Sequence, residues 1–109
     1  MRPIRVTTTD ASGGAVNSNT AVLDYYGITD VSLQVVVTGT ANYTVQQTLD
    51  NPLNSSQTVT WFNHPDPNLV AVTASAQGNY AYIPVAVRLV QNSGSGSAIL
   101  TIVQGGLHP

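Results

Sequence analysis

The sequence predicts an all-β protein, a single antiparallel β-sandwich of jelly-roll or immunoglobulin-like topology with six to eight strands. β-branched residues dominate the chain, with 15 Val and 13 Thr, and such residues favour extended backbone. No window places apolar residues at the spacing of an amphipathic helix. Gly, Pro, Asn, Asp and Ser divide the chain into short segments, which is typical of sandwiches and small barrels.

The N-terminal part of the chain predicts two strands. The first is "IRVTTT" at residues 4–9, and a Gly- and Ser-containing loop follows it. The second, "AVLDYYG" at 21–27, is predicted to be short and irregular because it ends in Gly. The length of 109 residues fits one domain. Within it we assign residues 1–20 to an N-terminal strand or arm and residues 21–109 to the sandwich.

The clearest strand pattern is "DVSLQVVVTG" at residues 30–39, where apolar and polar residues alternate. The side predicted to face the core carries Val31, Leu33, Val35 and Val37. "ANYTVQQTLD" at 41–50 follows almost at once, and such a short connection predicts that the two strands pair as a hairpin. The side of this strand that is predicted to face inward carries Tyr43, Val45 and Leu49.

The C-terminal half predicts three more strands, at residues 58–62, 80–92 and 98–106. Two prolines follow the first of them and end its pairing, because Pro has no N–H to donate. Residues 69–78 fit either a strand or a short helix. The Gly- and Ser-rich run "SGSGS" before the last strand predicts a flexible turn that closes a final hairpin.

Charged residues are scarce and make up 7% of the chain, against roughly 25% in an average soluble domain. Lys, Glu and Cys are absent, and the net charge is −2. Three Arg do not form the cationic patch that nucleic acid requires, and no apolar run is long enough to span a membrane. A nearly uncharged polar surface has a low desolvation cost, which favours docking against other proteins or copies of the chain. A compositional bias of the source genome is the alternative explanation.

The stretch "TVTWFNHPDP" at residues 58–67 concentrates the residue types that chemistry would need. It holds the only Trp and the only Phe, together with His64 and Asp66. The pair His64 and Asp66 supplies two ligands, whereas a zinc site needs at least three from the protein. We therefore predict no metal site and expect His64 to form local hydrogen bonds. The chain has no G-x-S-x-G motif, and two Asp could hydrolyse a glycoside only in an enclosed cleft, so we predict no catalytic residue and no cofactor.

Aromatic and Arg side chains are the remaining candidates, because Trp, Tyr and Arg contribute much of the binding energy of protein interfaces. Trp61 and Phe62 are adjacent, so on a strand one would face the core and the other the outer surface or a covering loop. The residues predicted to contact a partner are Trp61, Tyr80, Tyr82, Arg2 and Arg5. Burial of the aromatic rings within the monomer is the alternative.

Four short motifs follow one another between residues 41 and 106. They are Y-x-V-Q-x-T-x-D at 43–50, W-F-x-H-P at 61–65, G-N-Y-A with a later Pro at 78–84, and A-V-R-L followed by S-G-S-G at 86–96. In this order they resemble the small β-sandwich virion proteins of tailed bacteriophages. The resemblance implies a structural virion protein, in the first place a head decoration (cement) protein that binds the capsid lattice and stabilises it. It implies no catalytic residue.

The resemblance also implies the partners and the location. The partners would be the major capsid protein and further copies of the chain, in a homo-oligomer such as a trimer, with neither nucleic acid nor membrane. The protein would lie in the virion after assembly in the host cytoplasm, with a neck or tail position left open. The alternative is a carbohydrate- or receptor-binding module of a tail or head fibre. A sugar would then contact Trp61, Tyr80, Tyr82 and Asp66.

Overall fold

The computed structural model describes residues 3–23, 28–50, 52–53, 58–80 and 84–106. The strands in these ranges are β1 (Ile4–Thr9), β2 (Val16–Asn17), β3 (Ala21–Val22), β4 (Ile28–Thr38), β5 (Asn42–Thr48), β6 (Phe62–Asn63), β7 (Ala76–Tyr80), β8 (Ala86–Ser93) and β9 (Ser97–Gly106). The one helical segment of the described residues is a single 3-10 turn, Pro67–Leu69. The predicted all-β class is confirmed.

The strands form two antiparallel sheets that enclose one core. The four-stranded sheet has the order β1-β9-β4-β7, and the five-stranded sheet has the order β2-β8-β5-β6. β3 also pairs with β8, in line with β2, so these two short strands act as one interrupted edge strand. The pairs then nest from the ends of the chain inward: β1 with β9, β2 and β3 with β8, β4 with β7, and β5 with β6. This nesting is the topology of a jelly roll, which decides between the two predicted alternatives.

The core lies between the sheets and is filled by alternate residues of each. On β4, Val31, Leu33 and Val35 are buried as predicted, whereas Val36 on the other side is exposed. The larger core side chains are Val6, Leu23, Val31, Leu33, Val35, Tyr43, Val45, Leu69, Tyr80, Val87, Leu89, Leu100 and Ile102. The predicted inward orientation of Leu49 is wrong, because Leu49 lies beyond the end of β5 and is 69% exposed.

Both predicted hairpins are wrong. β4 pairs with β7 and β9, whereas β5 pairs with β6 and β8. The short loop between β4 and β5 therefore carries the chain from one sheet to the other. β8 and β9 are likewise in different sheets, although the "SGSGS" connection is short. Connection length alone favours a hairpin, but these two loops cross the end of the sandwich side by side.

Hydrogen bonds hold the two crossing loops together. Gly96 donates its backbone N–H to the carbonyl of Thr40 at 2.7 Å. The buried amide of Gln91 donates to the carbonyls of Gly94 and Gly96, each at 3.0 Å. A Cβ at Gly96 would overlap the carbonyl oxygens of Thr38 and Thr40, so this close approach requires Gly. The run predicted as a flexible turn is thus a hydrogen-bonded crossing between sheets.

The remaining predicted elements are shifted or shortened. Of the strand predicted at 58–62, only the end is paired, in β6. The strand predicted at 80–92 is two elements, since Tyr80 ends β7 and β8 begins at Ala86. Within the predicted N-terminal arm, β1 is paired with β9 along its whole length and is part of the sandwich.

Candidate functional site

The stretch "TVTWFNHPDP" forms the outer edge of the five-stranded sheet at β6. β6 pairs with the end of β5. Before β6, the carboxylate of Asp50 accepts the backbone N–H of Thr60 at 2.7 Å. After β6, His64 donates its backbone N–H to the carbonyl of Val45 at 2.8 Å. This edge is therefore held on both sides of the short strand.

The side chain of His64 connects that edge to the other sheet. Nδ1 accepts the backbone N–H of Asp66 at 3.0 Å. Because an N–H can only donate, the ring proton lies on Nε2, which donates to the carbonyl of Asn79 in β7 at 2.9 Å. The imidazole is 5% exposed, and its centroid lies 4.6 Å from that of the Tyr80 ring. His64 thus bridges the edge strands β6 and β7.

The electrostatics of His64 favour its neutral form. Burial lowers the pKa of His64 below its ordinary value of 6.5, and this outweighs the opposite effects of the Asn79 carbonyl and the Asp66 carboxylate. The Asp66 carboxylate accepts the N–H of Asn68 at 2.9 Å and caps the 3-10 turn. The hydrogen bond between Nδ1 and Asp66 confirms the predicted local bonding of His64, whereas the bond of Nε2 to Asn79 in the other sheet was not predicted.

Trp61 lies on the outer face of the five-stranded sheet and is covered by Arg88 of β8. The guanidinium carbon of Arg88 is 4.4 Å from the centroid of the Trp61 ring, and Nε donates to the side-chain oxygen of Gln46 at 2.9 Å. Gln46 donates in turn to the side chain of Asn63 at 3.0 Å. Burial lowers the pKa of Arg88, yet an Arg remains cationic at neutral pH. Within the described ranges no carboxylate lies within salt-bridge distance of Arg88.

Phe62 and Leu49 extend this surface around the sheet edge. Phe62 is 64% exposed and Leu49 is 69% exposed, and both line a small depression of about 150 Å³. Trp61 is half-buried and Phe62 is exposed, and neither belongs to the core, so the prediction that one of them faces the core is wrong. Exposed apolar side chains next to a Trp–Arg pair are typical of protein contact sites. We call Leu49, Trp61, Phe62 and Arg88 the β6 edge surface.

The five residues predicted for partner contact do not form one site. Trp61 lies in the β6 edge surface. Tyr80 is 7% exposed and its hydroxyl donates to the side chain of Gln47 at 3.1 Å, so its ring does not offer a contact surface. Arg5 is exposed on β1 in the other sheet, with Nε 3.4 Å from the hydroxyl oxygen of Thr101. Arg2 and Tyr82 lie outside the described residues.

Sequence reasoning missed Arg88 as a member of the site. The alternation in "AVRLV" does indicate that Arg88 points outward, because it lies between the apolar residues Val87 and Leu89. Its contact with Trp61 depends on the pairing of β8 with β5 and of β5 with β6. No local pattern of the sequence contains that information.

A shallow depression of about 630 Å³ lies on the outer face of the four-stranded sheet. The lining includes the polar side chains of Ser32, Gln34, Asp66, Gln77, Asn79 and Thr101 and the exposed side chain of Val103. Apart from Asp66 they come from β4, β7 and β9, three neighbouring strands. Sequence reasoning missed this site too, because its residues are ordinary outward positions until the strand order is known. We call it the sheet-face depression.

Among the described residues, no group of three His, Cys, Asp or Glu could hold a metal ion. No helix in the same part of the chain has the length and apolarity needed to cross a membrane. Comparison with protein-family models, with curated proteins and with solved structures finds no match. The fold and its two surfaces define the class: a small jelly-roll β-sandwich with an aromatic and apolar edge on one sheet and a polar depression on the other.

Proposed function

We propose that the chain is a structural virion protein of a tailed bacteriophage, a head decoration (cement) protein that binds the capsid lattice and catalyses no reaction. The observation that carries the proposal is the β6 edge surface, where two exposed apolar side chains adjoin a Trp–Arg pair. The low charge of the chain and the ordered motifs between residues 41 and 106 support the same role.

The β6 edge surface has the composition of an adhesive contact. Full burial of an apolar side chain such as Phe62 or Leu49 against a partner is worth about 1.5–3 kcal/mol. Arg88 uses Nε for Gln46, which leaves its other N–H groups for a carbonyl or carboxylate of the partner. Because Trp61 and Gln46 already orient the guanidinium, less side-chain entropy is lost on binding.

The proposed partners are the major capsid protein and further copies of this chain, in a homo-oligomer such as a trimer within the virion. A subunit that binds across the junction of two capsomers is bound fully only while the shell is closed. Its binding free energy therefore favours the closed shell over the opened one. This is the proposed mechanism of stabilisation, and it needs no titratable centre.

Quantitative mass spectrometry of purified particles that carry the chain tests the role. Decoration predicts a copy number comparable to that of the major shell protein. A copy number at or below that of a tail ring would instead assign the chain to the neck or tail. Absence from the particles would overturn a virion role altogether.

Binding of purified variants to particles that lack the chain tests the surface. We expect Phe62→Ser and Arg88→Ala each to weaken binding by roughly tenfold or more, as for central interface residues. Val36→Ser is the matched control, because Val36 is 44% exposed but lies on the other sheet. Equal binding by all three variants would exclude the β6 edge surface as the contact.

The predicted sugar platform of Trp61, Tyr80 and Tyr82 has less support. Tyr80 is buried, and one face of the Trp61 ring is covered by Arg88. These contacts leave at most one face of Trp61 for a sugar, and Tyr82 lies outside the described residues, so we do not propose a glycan site on this platform.

A further inference from the structure

The amide side chains on the outer face of the five-stranded sheet are bonded to one another. Gln46 donates to Asn63 and accepts from Arg88, as described above. Asn92 donates to the side chains of Asn42 and Thr44, at 2.9 and 3.0 Å. The hydrogen-bonding capacity of this face is therefore largely used within the protein.

The amide side chains described on the outer face of the four-stranded sheet are not hydrogen-bonded to one another. Ser32 lies opposite Asn79, and Gln34 lies opposite Gln77, in two adjacent rows across β4 and β7. Side chains directly opposite each other have Cβ atoms about 5 Å apart, which is within reach of a hydrogen bond between amides. Yet none of these four side chains has a hydrogen-bond partner in the structure. Their donors and acceptors all border the sheet-face depression.

The chemistry of this lining selects one class of ligand. The lining contains one charged side chain, Asp66, while Arg5 borders it at Thr101, so the site carries no net charge that would favour an ionic ligand. An amide offers both N–H donors and a carbonyl acceptor, which matches a ligand whose groups also donate and accept. Hydroxyl groups do both. Val103, which is 38% exposed, adds apolar surface for carbon-bound hydrogens.

We propose that the sheet-face depression binds a neutral oligosaccharide across β9, β4 and β7. Three neighbouring strands span about 10 Å, and the volume of about 630 Å³ falls within the usual range of small-ligand sites. Gln34 is the central residue, because it lies opposite both Gln77 and Thr101. Asp66 accepts hydroxyl groups at one side of the site. This inference goes beyond the proposed virion role and does not depend on it.

The first test is a glycan array probed with the full-length protein, carrying neutral, sialylated and sulfated oligosaccharides. A retained neutral oligosaccharide is then titrated into isotope-labelled protein and followed by NMR. We expect the side-chain amide signals of Gln34, Gln77 and Asn79 to shift, while those of Gln46 and Asn92 do not. Retention of anionic glycans alone, or of none, would overturn the proposal.

Matched variants provide the second test. We expect Gln34→Ala and Gln77→Ala each to weaken binding of the retained glycan by roughly fivefold or more, since each removes a pair of hydrogen bonds. Gln46→Ala removes the same side chain from the other sheet and should bind as the parent does. Melting curves confirm that all three variants are folded. Unchanged binding in both sheet-face variants would contradict the assignment, as would a particle protein that competes with the glycan for this face.

Discussion

The outer faces of the two sheets are built from the same neutral residue types but use them differently. On the five-stranded sheet, the amides of Gln46, Asn63 and Asn92 bond within the protein. On the four-stranded sheet, Gln34 and Gln77 lie directly opposite each other without a hydrogen-bond partner. Composition alone therefore does not decide whether a polar sheet face is closed or open to a ligand.

An Arg lies on each face, but opposite a different kind of side chain. Arg88 lies opposite Gln46, and its Nε–H fixes the carbonyl end of that amide, so the N–H end turns to Asn63. Arg5 lies opposite Thr101 rather than opposite an amide, and its Nε is directed to the hydroxyl of that residue. Gln46 is therefore part of a side-chain network with Arg88, whereas Gln34, one strand further from Arg5, is not.

The largest expected effect lies where the two sheets meet, at His64. His64→Ala leaves the N–H of Asp66 and the carbonyl of Asn79 without their partner and removes a buried ring. We expect the free energy of unfolding to fall by about 3 kcal/mol, measured by urea denaturation. The neighbouring change Phe62→Ala should alter it by less than about 0.5 kcal/mol, because that ring is exposed. Similar losses in both variants would refute a bridging role of His64.

A smaller loss should follow from protonating the same ring. Burial lowers the pKa of His64 below 6.5, so the folded state binds fewer protons than the unfolded state as the pH falls through 6.5. The stabilisation is complete above 6.5 and is lost as the pH falls from there through the folded-state pKa. Protonation of Nδ1 would also remove the hydrogen bond from Asp66, because two N–H donors would then face each other. Denaturation as a function of pH should show this loss in the parent, and His64→Gln should lack it.

Arg88→Ala should have a moderate effect on stability, in contrast to its effect on binding. It removes the contact with Trp61 and the hydrogen bond to Gln46, both partly exposed, and we expect a loss of about 1 kcal/mol. Arg88→Lys keeps the charge but not the planar group that bonds Gln46 while covering the ring. It should therefore recover only part of the loss in thermal melting. Full recovery would show that charge alone matters at this position.

The smallest effect on stability should come from a substitution in the sheet-face depression. Gln34→Ala breaks no hydrogen bond of the protein, so its free energy of unfolding should stay within about 0.5 kcal/mol of that of the parent. Gln46→Ala, which removes an amide bonded on both sides, should lose about 1 kcal/mol. A pair of urea titrations measures both. Equal losses would remove the distinction between the two faces.

The sequence predicts individual strands better than their partners. β1, β4 and β9 follow from β-branched runs or strict alternation, which are local properties. The partners of β4 and β5 do not follow, because a loop of three residues can close a hairpin or cross the sandwich. Here Gly96 permits the close backbone approach that makes the crossing possible. The need for Gly at this position becomes visible only when the two crossing loops are seen side by side in the structure.

The same limit applies to the candidate site. "TVTWFNHPDP" is recognisable from its composition, and the local hydrogen bond of His64 to Asp66 follows the prediction. Three other features depend on strand register. They are the hydrogen bond from His64 to Asn79, the contact of Arg88 with Trp61, and the two rows of side chains in the sheet-face depression. These contacts join residues far apart in sequence, so periodicity and motifs do not predict them.

The most direct test of the proposed function is a cryo-EM density map of the particle that carries this chain. The proposal predicts copies of this two-sheet sandwich repeated over the capsid lattice. In each copy, Phe62, Leu49 and the Trp61–Arg88 pair should be buried against the shell. A particle without such density, or with the sandwich attached through the outer face of its four-stranded sheet, would contradict the account.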